Sequence, residues 1–103
     1  MARLLVLYKT PTDVDAFESY YIKTHVPIAK TIPGLRRYEI SRGPVGTPAG
    51  PSETLHLIAI LHFDDMAAIG QAFSSAEGQV AAADLQKFAT GGFEMMFFDE
   101  EEV

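Results

Sequence analysis

Hydrophobic and polar positions change period along the chain in a regular order, and that order predicts strands and helices. Residues Arg3 to Tyr8 form a nearly continuous apolar run, which predicts a strand buried on both faces. A helix is expected next, because inward-facing side chains then recur at steps of three and four residues. This helical face comprises Val14, Phe17, Tyr21, His25, Ile28 and Ile32.

The ends of this first helix carry recognisable signals. The segment Thr12-Asp13-Val14-Asp15 offers a capping side chain with an acid three positions later. Pro27 lacks a backbone N–H and disfavours helical geometry at Val26, so a kink or restart is expected there. Pro33-Gly34 predicts the end of the helix.

Two strands and a loop are predicted in the middle of the chain. Leu35 to Arg42 alternates and predicts a less buried strand, and Thr54 to Phe63 predicts a central strand. In the central strand, Leu55, Leu57, Ala59, Leu61 and Phe63 would share one face, with His56, Ile58, Ile60 and His62 on the other. Gly43 to Ser52 holds three of the eight Gly and three of the six Pro, which predicts a loop.

The last third predicts two helical pieces and a strand. Asp64 or Asp65 would cap the first piece, and Ser74-Ser75-Ala76-Glu77 would form a capping box for the second. A turn at Gly91-Gly92 leads into a strand over Phe93 to Phe98. The apolar residues of the two helical pieces are Met66, Ile69 and Phe73, then Ala81, Leu85 and Phe88.

The order strand, helix, strand, strand, helix, strand (βαββαβ) is typical of a ferredoxin-like α+β sandwich. We therefore expect a single domain over residues 1–103, with one antiparallel sheet covered on one side by two helices. Three of the strands are apolar on both faces, although helices can cover only one face. A homodimer that packs sheet on sheet, a dimeric α+β barrel, would bury the other face.

Composition removes several function classes. A formal charge of −6 and a pI near 4.8 disfavour a nucleic-acid partner. No apolar run has membrane-spanning length and Met1 opens no cleavable signal pattern, so no membrane association and a cytoplasmic location are expected. The chain has no Cys, its three His are separated in sequence, and it contains no nucleotide-binding motif. Neither a metal nor a cofactor is therefore expected. Met66, Met95 and Met96 are expected in core or dimer packing.

His25 is the leading candidate for chemistry, because a titratable ring lies on an inward-facing stripe beside Pro27. It would act as a general acid or base on a small apolar substrate, or it would be a core histidine bonded to a backbone carbonyl freed at the kink. Tyr8, Tyr21 and Tyr38 would orient a substrate carbonyl or pack in the core.

The other histidines are weaker candidates. His56 is a further candidate for the pocket wall, and His62 for the rim or a dimer contact. Six residues of strand separate them by about 20 Å, too far for one metal ion.

Several segments together resemble the EthD family over nearly the whole chain. The residues that carry the resemblance run from Phe17-Glu18-Ser19-Tyr20-Tyr21 through Thr24-His25-Val26-Pro27 to Ile32-Pro33-Gly34-Leu35-Arg36-Arg37-Tyr38, with LLVLYK, SSAEGQ, AAADL and FATGG elsewhere. The resemblance implies a dimeric α+β barrel, a link with bacterial ethyl tert-butyl ether degradation, and a role for His25. The segment Gly43 to Ser52 departs from the family pattern, which puts a lid role for it in doubt.

Two functions remain open from the sequence. One is a cofactor-independent lyase, cyclase or isomerase that acts on a small hydrophobic or aromatic compound, with His25 moving a proton. The other is a non-catalytic accessory protein that binds a hydrophobic metabolite in a degradation pathway. A haem-dependent monooxygenase is a third option, for which no residue stands out as the axial ligand.

Overall fold

One four-stranded antiparallel sheet organises the protein, for which a computed structural model describes residues 1–103. The strands are β1 (Ala2–Lys9), β2 (Arg37–Ile40), β3 (Gly46–Thr47), β4 (Gly50–Pro51), β5 (Leu55–Phe63) and β6 (Phe93–Asp99). The main sheet has the order β2-β5-β1-β6, which confirms the ferredoxin-like α+β fold class. Strands β3 and β4 form a separate small hairpin inside the segment predicted as a loop.

The helices lie on one side of this sheet. They are α1 (Val14–Tyr20), a π-helical turn (Tyr21–His25), α2 (Val26–Ala29), α3 (Met66–Ser74) and α4 (Ala76–Phe88). Asp13, Asp65 and Ser75 cap α1, α3 and α4, each by accepting a hydrogen bond from the backbone N–H three residues ahead. The residue that caps the first helix is therefore Asp13 and not Thr12. None of these helices is long and apolar enough to cross a membrane.

The predicted irregularity near Pro27 takes the form of the π-helical turn. The backbone N–H of Val26 donates to the carbonyl of Tyr21, five residues back, and Pro27 lies in the first turn of α2. The turn leaves Tyr21 and His25 both buried. α2 ends at Ala29, so Pro33-Gly34 lies beyond the helix and not at its end.

The two faces of the sheet differ in their cover. Under the helices, alternate residues of β1 and β5 are buried; these are Ala2, Leu4, Val6, Tyr8, Leu57, Ala59, Leu61 and Phe63. On the other face no element packs, and Leu5, Leu7, Ile58 and Ile60 stay partly exposed beside the exposed Met96 and Phe98. Apolar side chains therefore occupy both faces, as predicted, and one face is open.

His56 and His62 do not share a face, contrary to the strict alternation predicted for this strand. The β1–β5 register shifts between Tyr8 and Lys9. Leu57 pairs with Tyr8 and Leu55 pairs with Lys9. His56, between them, therefore has no paired residue on β1. The His56 ring packs edge-on against Phe17 of α1. His62 pairs in register with Arg3 and reaches Glu39 of β2.

The joint between α3 and α4 requires a residue without a side chain. At Gly78 an added Cβ atom would lie 1.9 Å from the carbonyl oxygen of Ala72. Ser75 fixes this approach, because its hydroxyl accepts from the Gly78 N–H while it donates to the same Ala72 carbonyl. The backbones of the two helices are therefore in direct contact here.

We expect Gly78→Ala to lower the free energy of unfolding by at least about 2 kcal/mol, since the new methyl group overlaps backbone atoms that cannot rotate away. Gly70→Ala in α3 is the matched control, because an added Cβ there meets no atom within 4 Å. It should leave stability unchanged or raise it by up to about 1 kcal/mol. Urea denaturation measures both, and equal midpoints for the two variants would contradict the packing argument.

Candidate functional site

His25 is the last residue of the π-helical turn, and its ring is bonded to an acid on α4. Its Nδ1 lies 2.9 Å from Oδ2 of Asp84, and the two side chains are only 6% and 3% exposed. The hydroxyl of Tyr20 donates to the other oxygen of Asp84 at 2.7 Å. One buried carboxylate thus receives two donors from the first helical segment.

This arrangement determines which nitrogen of His25 is free. A carboxylate can only accept, so the neutral ring carries its proton on Nδ1 and leaves the lone pair of Nε2 available. Nε2 makes no hydrogen bond within the protein. Burial lowers the pKa of His25 below its usual value, against the opposing effect of Asp84, so the neutral form prevails at pH 7.

The ring of His25 forms part of the wall of a narrow apolar cavity between the sheet and the helices. The cavity volume is about 30 Å³, and 13 of its 14 lining residues are hydrophobic. His25 is the exception. A ligand in this space would therefore meet mainly apolar surface, with the His25 ring in one wall.

Tyrosines add hydroxyl groups to the same region. Tyr8 and Tyr38 line the cavity, and the hydroxyl of Tyr21 lies 2.6 Å from that of Tyr38. Burial raises the pKa of Tyr8, Tyr21 and Tyr38, so all three stay protonated at neutral pH. When Tyr21 donates within the pair, the Tyr38 O–H is free to donate to a ligand oxygen.

An aromatic cluster holds the histidine ring in place. The ring centroid of His25 lies 4.6 Å from that of Phe88 and 5.4 Å from that of Tyr21. Phe17 in turn stacks on Tyr21 at 5.7 Å. The orientation of Nε2 is therefore set by packing as well as by Asp84.

His56 lies outside this cavity. Its Nε2 is 2.9 Å from Oε1 of Glu18, and it lines a wider, more polar groove beside the Gly43 to Ser52 segment. Of the residues predicted from the sequence, the structure thus brings together Tyr8, Tyr21, His25 and Tyr38 and places His56 elsewhere. No three His, Asp or Glu side chains are grouped closely enough to hold a metal ion.

Asp84 and Tyr20 are the residues that sequence reasoning missed. Asp84 shares the inward stripe of α4 with Ala81, Leu85 and Phe88, where an acid is unexpected. An acid on a buried stripe requires a partner, and that signal was present in the sequence. Nothing local identifies His25 as the partner.

Asp84→Asn tests the pairing, because it removes the charge that favours the imidazolium. We expect the pKa of His25 to fall further below its ordinary value, as burial then acts unopposed by the carboxylate. NMR titration of the His25 ring measures the shift. Glu18→Gln, which alters the acid beside His56, is the control and should leave the His25 titration unchanged. A His25 pKa that stays put or rises in Asp84→Asn contradicts the assignment.

Comparison with known proteins places this geometry in a family. The EthD domain matches residues 9–92. An uncharacterised 11.0 kDa protein from the thcB–thcC intergenic region of Rhodococcus erythropolis is 41% identical over 103 residues, which are 100% of this chain and 98% of that protein. The crystal structure of an ethyl tert-butyl ether degradation (EthD) family protein from Bacillus halodurans has a TM-score of 0.87 and 36% identity, over 98% of this chain and 99% of that one.

More distant structures share the fold alone. Hydroxynitrile lyase from Passiflora edulis has a TM-score of 0.76 at 13% identity, over 99% of this chain and 94% of that one. A dimeric protein of unknown function with a ferredoxin-like fold, from Bacteroides fragilis, has a TM-score of 0.64 at 17% identity, over 96% and 95% of the two chains. From the domain match and the two close relatives, the chain belongs to the EthD family.

Proposed function

We propose that this protein is a cofactor-independent lyase, cyclase or isomerase that moves a proton on a small hydrophobic or aromatic substrate. The observation that carries the proposal is the free Nε2 of His25, a neutral base held by Asp84 at the wall of an apolar cavity. A general base needs reach to the substrate and a proton-free nitrogen at working pH; the place of His25 in the cavity wall and its lowered pKa support this role.

The proposed reaction is a proton transfer. Nε2 takes a proton from a carbon next to a substrate carbonyl, and the electron pair of the broken C–H bond moves into the carbonyl to give an enolate. In this proposal the Tyr38 hydroxyl, which contacts that of Tyr21, donates a hydrogen bond to that oxygen. The imidazolium is stabilised by Asp84, and it returns the proton to another atom of the substrate or to a leaving group.

The fold is compatible with this chemistry. The hydroxynitrile lyase that shares the fold is itself a lyase. The cavity offers no Lys, Arg, Asp or Glu side chain, so an uncharged substrate fits it better than a phosphorylated or carboxylated one. We infer that binding depends on apolar burial and that specificity for the reacting group depends on His25 and the tyrosines.

The proposal is tested by deuterium uptake from D2O into the methyl group of acetophenone, an aromatic ketone with an acidic C–H bond. We expect the protein to accelerate uptake, and His25→Ala to reduce the acceleration by about 100-fold or more, since positioned general bases contribute on this scale. Proton NMR follows the exchange. His56→Ala removes a histidine outside the cavity and should retain the full rate.

A second measurement separates catalysis from binding. Calorimetric titration gives the affinity of each variant for acetophenone. If the ketone binds and the wild-type protein does not accelerate exchange, the accessory-binding alternative is correct and the catalytic proposal fails. Loss of exchange with retained affinity in His25→Ala supports catalysis.

We also propose that the chain forms a homodimer through the open face of the sheet. Leu5, Leu7, Ile58 and Ile60 form an apolar centre there, continued by Met96 and Phe98. Apolar patches of this kind mark interaction surfaces, and a two-fold partner would cover the patch with an identical one. The Bacteroides fragilis protein with this fold is dimeric, which supports the same assembly.

Leu5→Glu should convert the dimer to a monomer, because it buries a carboxylate at the centre of the apolar face. Light scattering after size exclusion would then give the 11.3 kDa of one chain, against twice that mass for the wild-type protein. Val80→Glu, at a 57% exposed apolar position on α4, is the matched control and should keep the dimer mass. A wild-type mass of one chain would refute the dimer.

A further inference from the structure

An apolar groove opens between α3 and β6, and we call it the α3–β6 groove. Its volume is about 310 Å³. Six of its seven lining residues are hydrophobic, and the seventh is Gly70; the set is Leu4, Met66, Ile69, Gly70, Phe73, Met95 and Phe97. The groove therefore offers a ligand apolar contact and no charged group.

The groove belongs to the helix-covered side of the sheet and not to the open face. Met95 and Phe97 pair with Val6 and Leu4 in the β1–β6 register, so they share the face on which those two are buried. Of the helices, only α3 packs against β6. Met66, Met95 and Phe97 consequently remain 37%, 37% and 52% exposed, although their neighbours form the core.

The groove adjoins the cavity at His25. Leu4, Phe73 and Met95 line both spaces. A molecule that bridged the two spaces across these side chains would have one end at His25 and the other end between α3 and β6. Two methionines in the outer wall adapt easily to ligands of different shape, because the thioether chain is flexible.

We propose that the α3–β6 groove binds the apolar tail of the same ligand whose polar group reaches His25. The inference rests on the proposed function for the placement of the polar group. It assigns the substrate class as an elongated, uncharged alkyl or aryl-alkyl carbonyl compound, since neither space presents a Lys or Arg side chain to an anion. Apolar burial in the groove then supplies most of the affinity.

The structure also provides a way to close the groove without disturbing the core. Gly70 is exposed on α3, and a Cβ atom added there meets nothing within 4 Å. Gly70→Phe would fill the groove with a ring, whereas Gly70→Ala would leave it open and is the matched control. Phe97→Ser, which shortens the opposite wall, provides a second variant that does not depend on the helix.

The experiment measures the dissociation constants of 2-alkanones from 2-pentanone to 2-decanone by calorimetry. For the wild-type protein and Gly70→Ala, we expect affinity to rise about fourfold with each added methylene. In Gly70→Phe the affinity for 2-pentanone should persist and the gain with chain length should disappear. Phe97→Ser should reduce the gain per methylene.

Three outcomes would overturn the inference. They are an affinity independent of chain length, equal slopes in Gly70→Phe and Gly70→Ala, and a monomeric Gly70→Phe protein, which would assign the groove to a second copy of the chain. Deuterium uptake into the same ketones separates this inference from the proposed function. If deuterium uptake depends on His25 but affinity does not depend on chain length, only the proposal for the α3–β6 groove is refuted. If affinity depends on chain length but uptake does not depend on His25, only the catalytic proposal is refuted.

Discussion

The buried hydrogen bond between His25 and Asp84 is the interaction on which the site depends. It ties the π-helical turn to α4 and determines that Nδ1 is the protonated nitrogen, which leaves Nε2 without a proton. Tyr20 donates to the second carboxylate oxygen of Asp84. Without this bond, that oxygen would be buried with no hydrogen-bond donor. Loss of a partner from a buried polar group costs about 1–3 kcal/mol, and more for a charged one, so the pair contributes to the fold as well as to the chemistry.

The order of strands and helices could be predicted from the sequence because each of them has its own local pattern of apolar and polar residues. Helical spacing placed His25 on a buried face, and apolar runs identified the strands of a sheet with two apolar faces. Asp84 could not be assigned in this way, since it lies 59 residues from His25 and meets it only when α4 crosses the first helical segment. The position of Asp84 on the buried side of α4 indicates that it has a polar partner. Only the tertiary fold identifies that partner as His25.

Details that depend on pairing between strands were also beyond the sequence. The alternation of β5 placed His56 and His62 on one face, but the register shift against β1 turns His56 toward α1. A shift of this kind reflects the fit of two distant strands, and neither strand encodes it alone. The same limit applies to the hairpin of β3 and β4, whose Gly and Pro content indicates only turns.

The π-helical turn has a consequence for how the chain can vary in length. A π turn contains one residue more than the equivalent α-helical stretch, and each helical residue advances the chain by about 100° around the axis. Deletion of a single residue between Tyr21 and His25 would therefore replace the π turn by regular α-helix and change the angular offset between these two side chains, which the turn now buries together. The residue count of this segment is as much a property of the site as the imidazole, whereas the exposed β3–β4 hairpin can gain or lose residues without altering the geometry around Asp84.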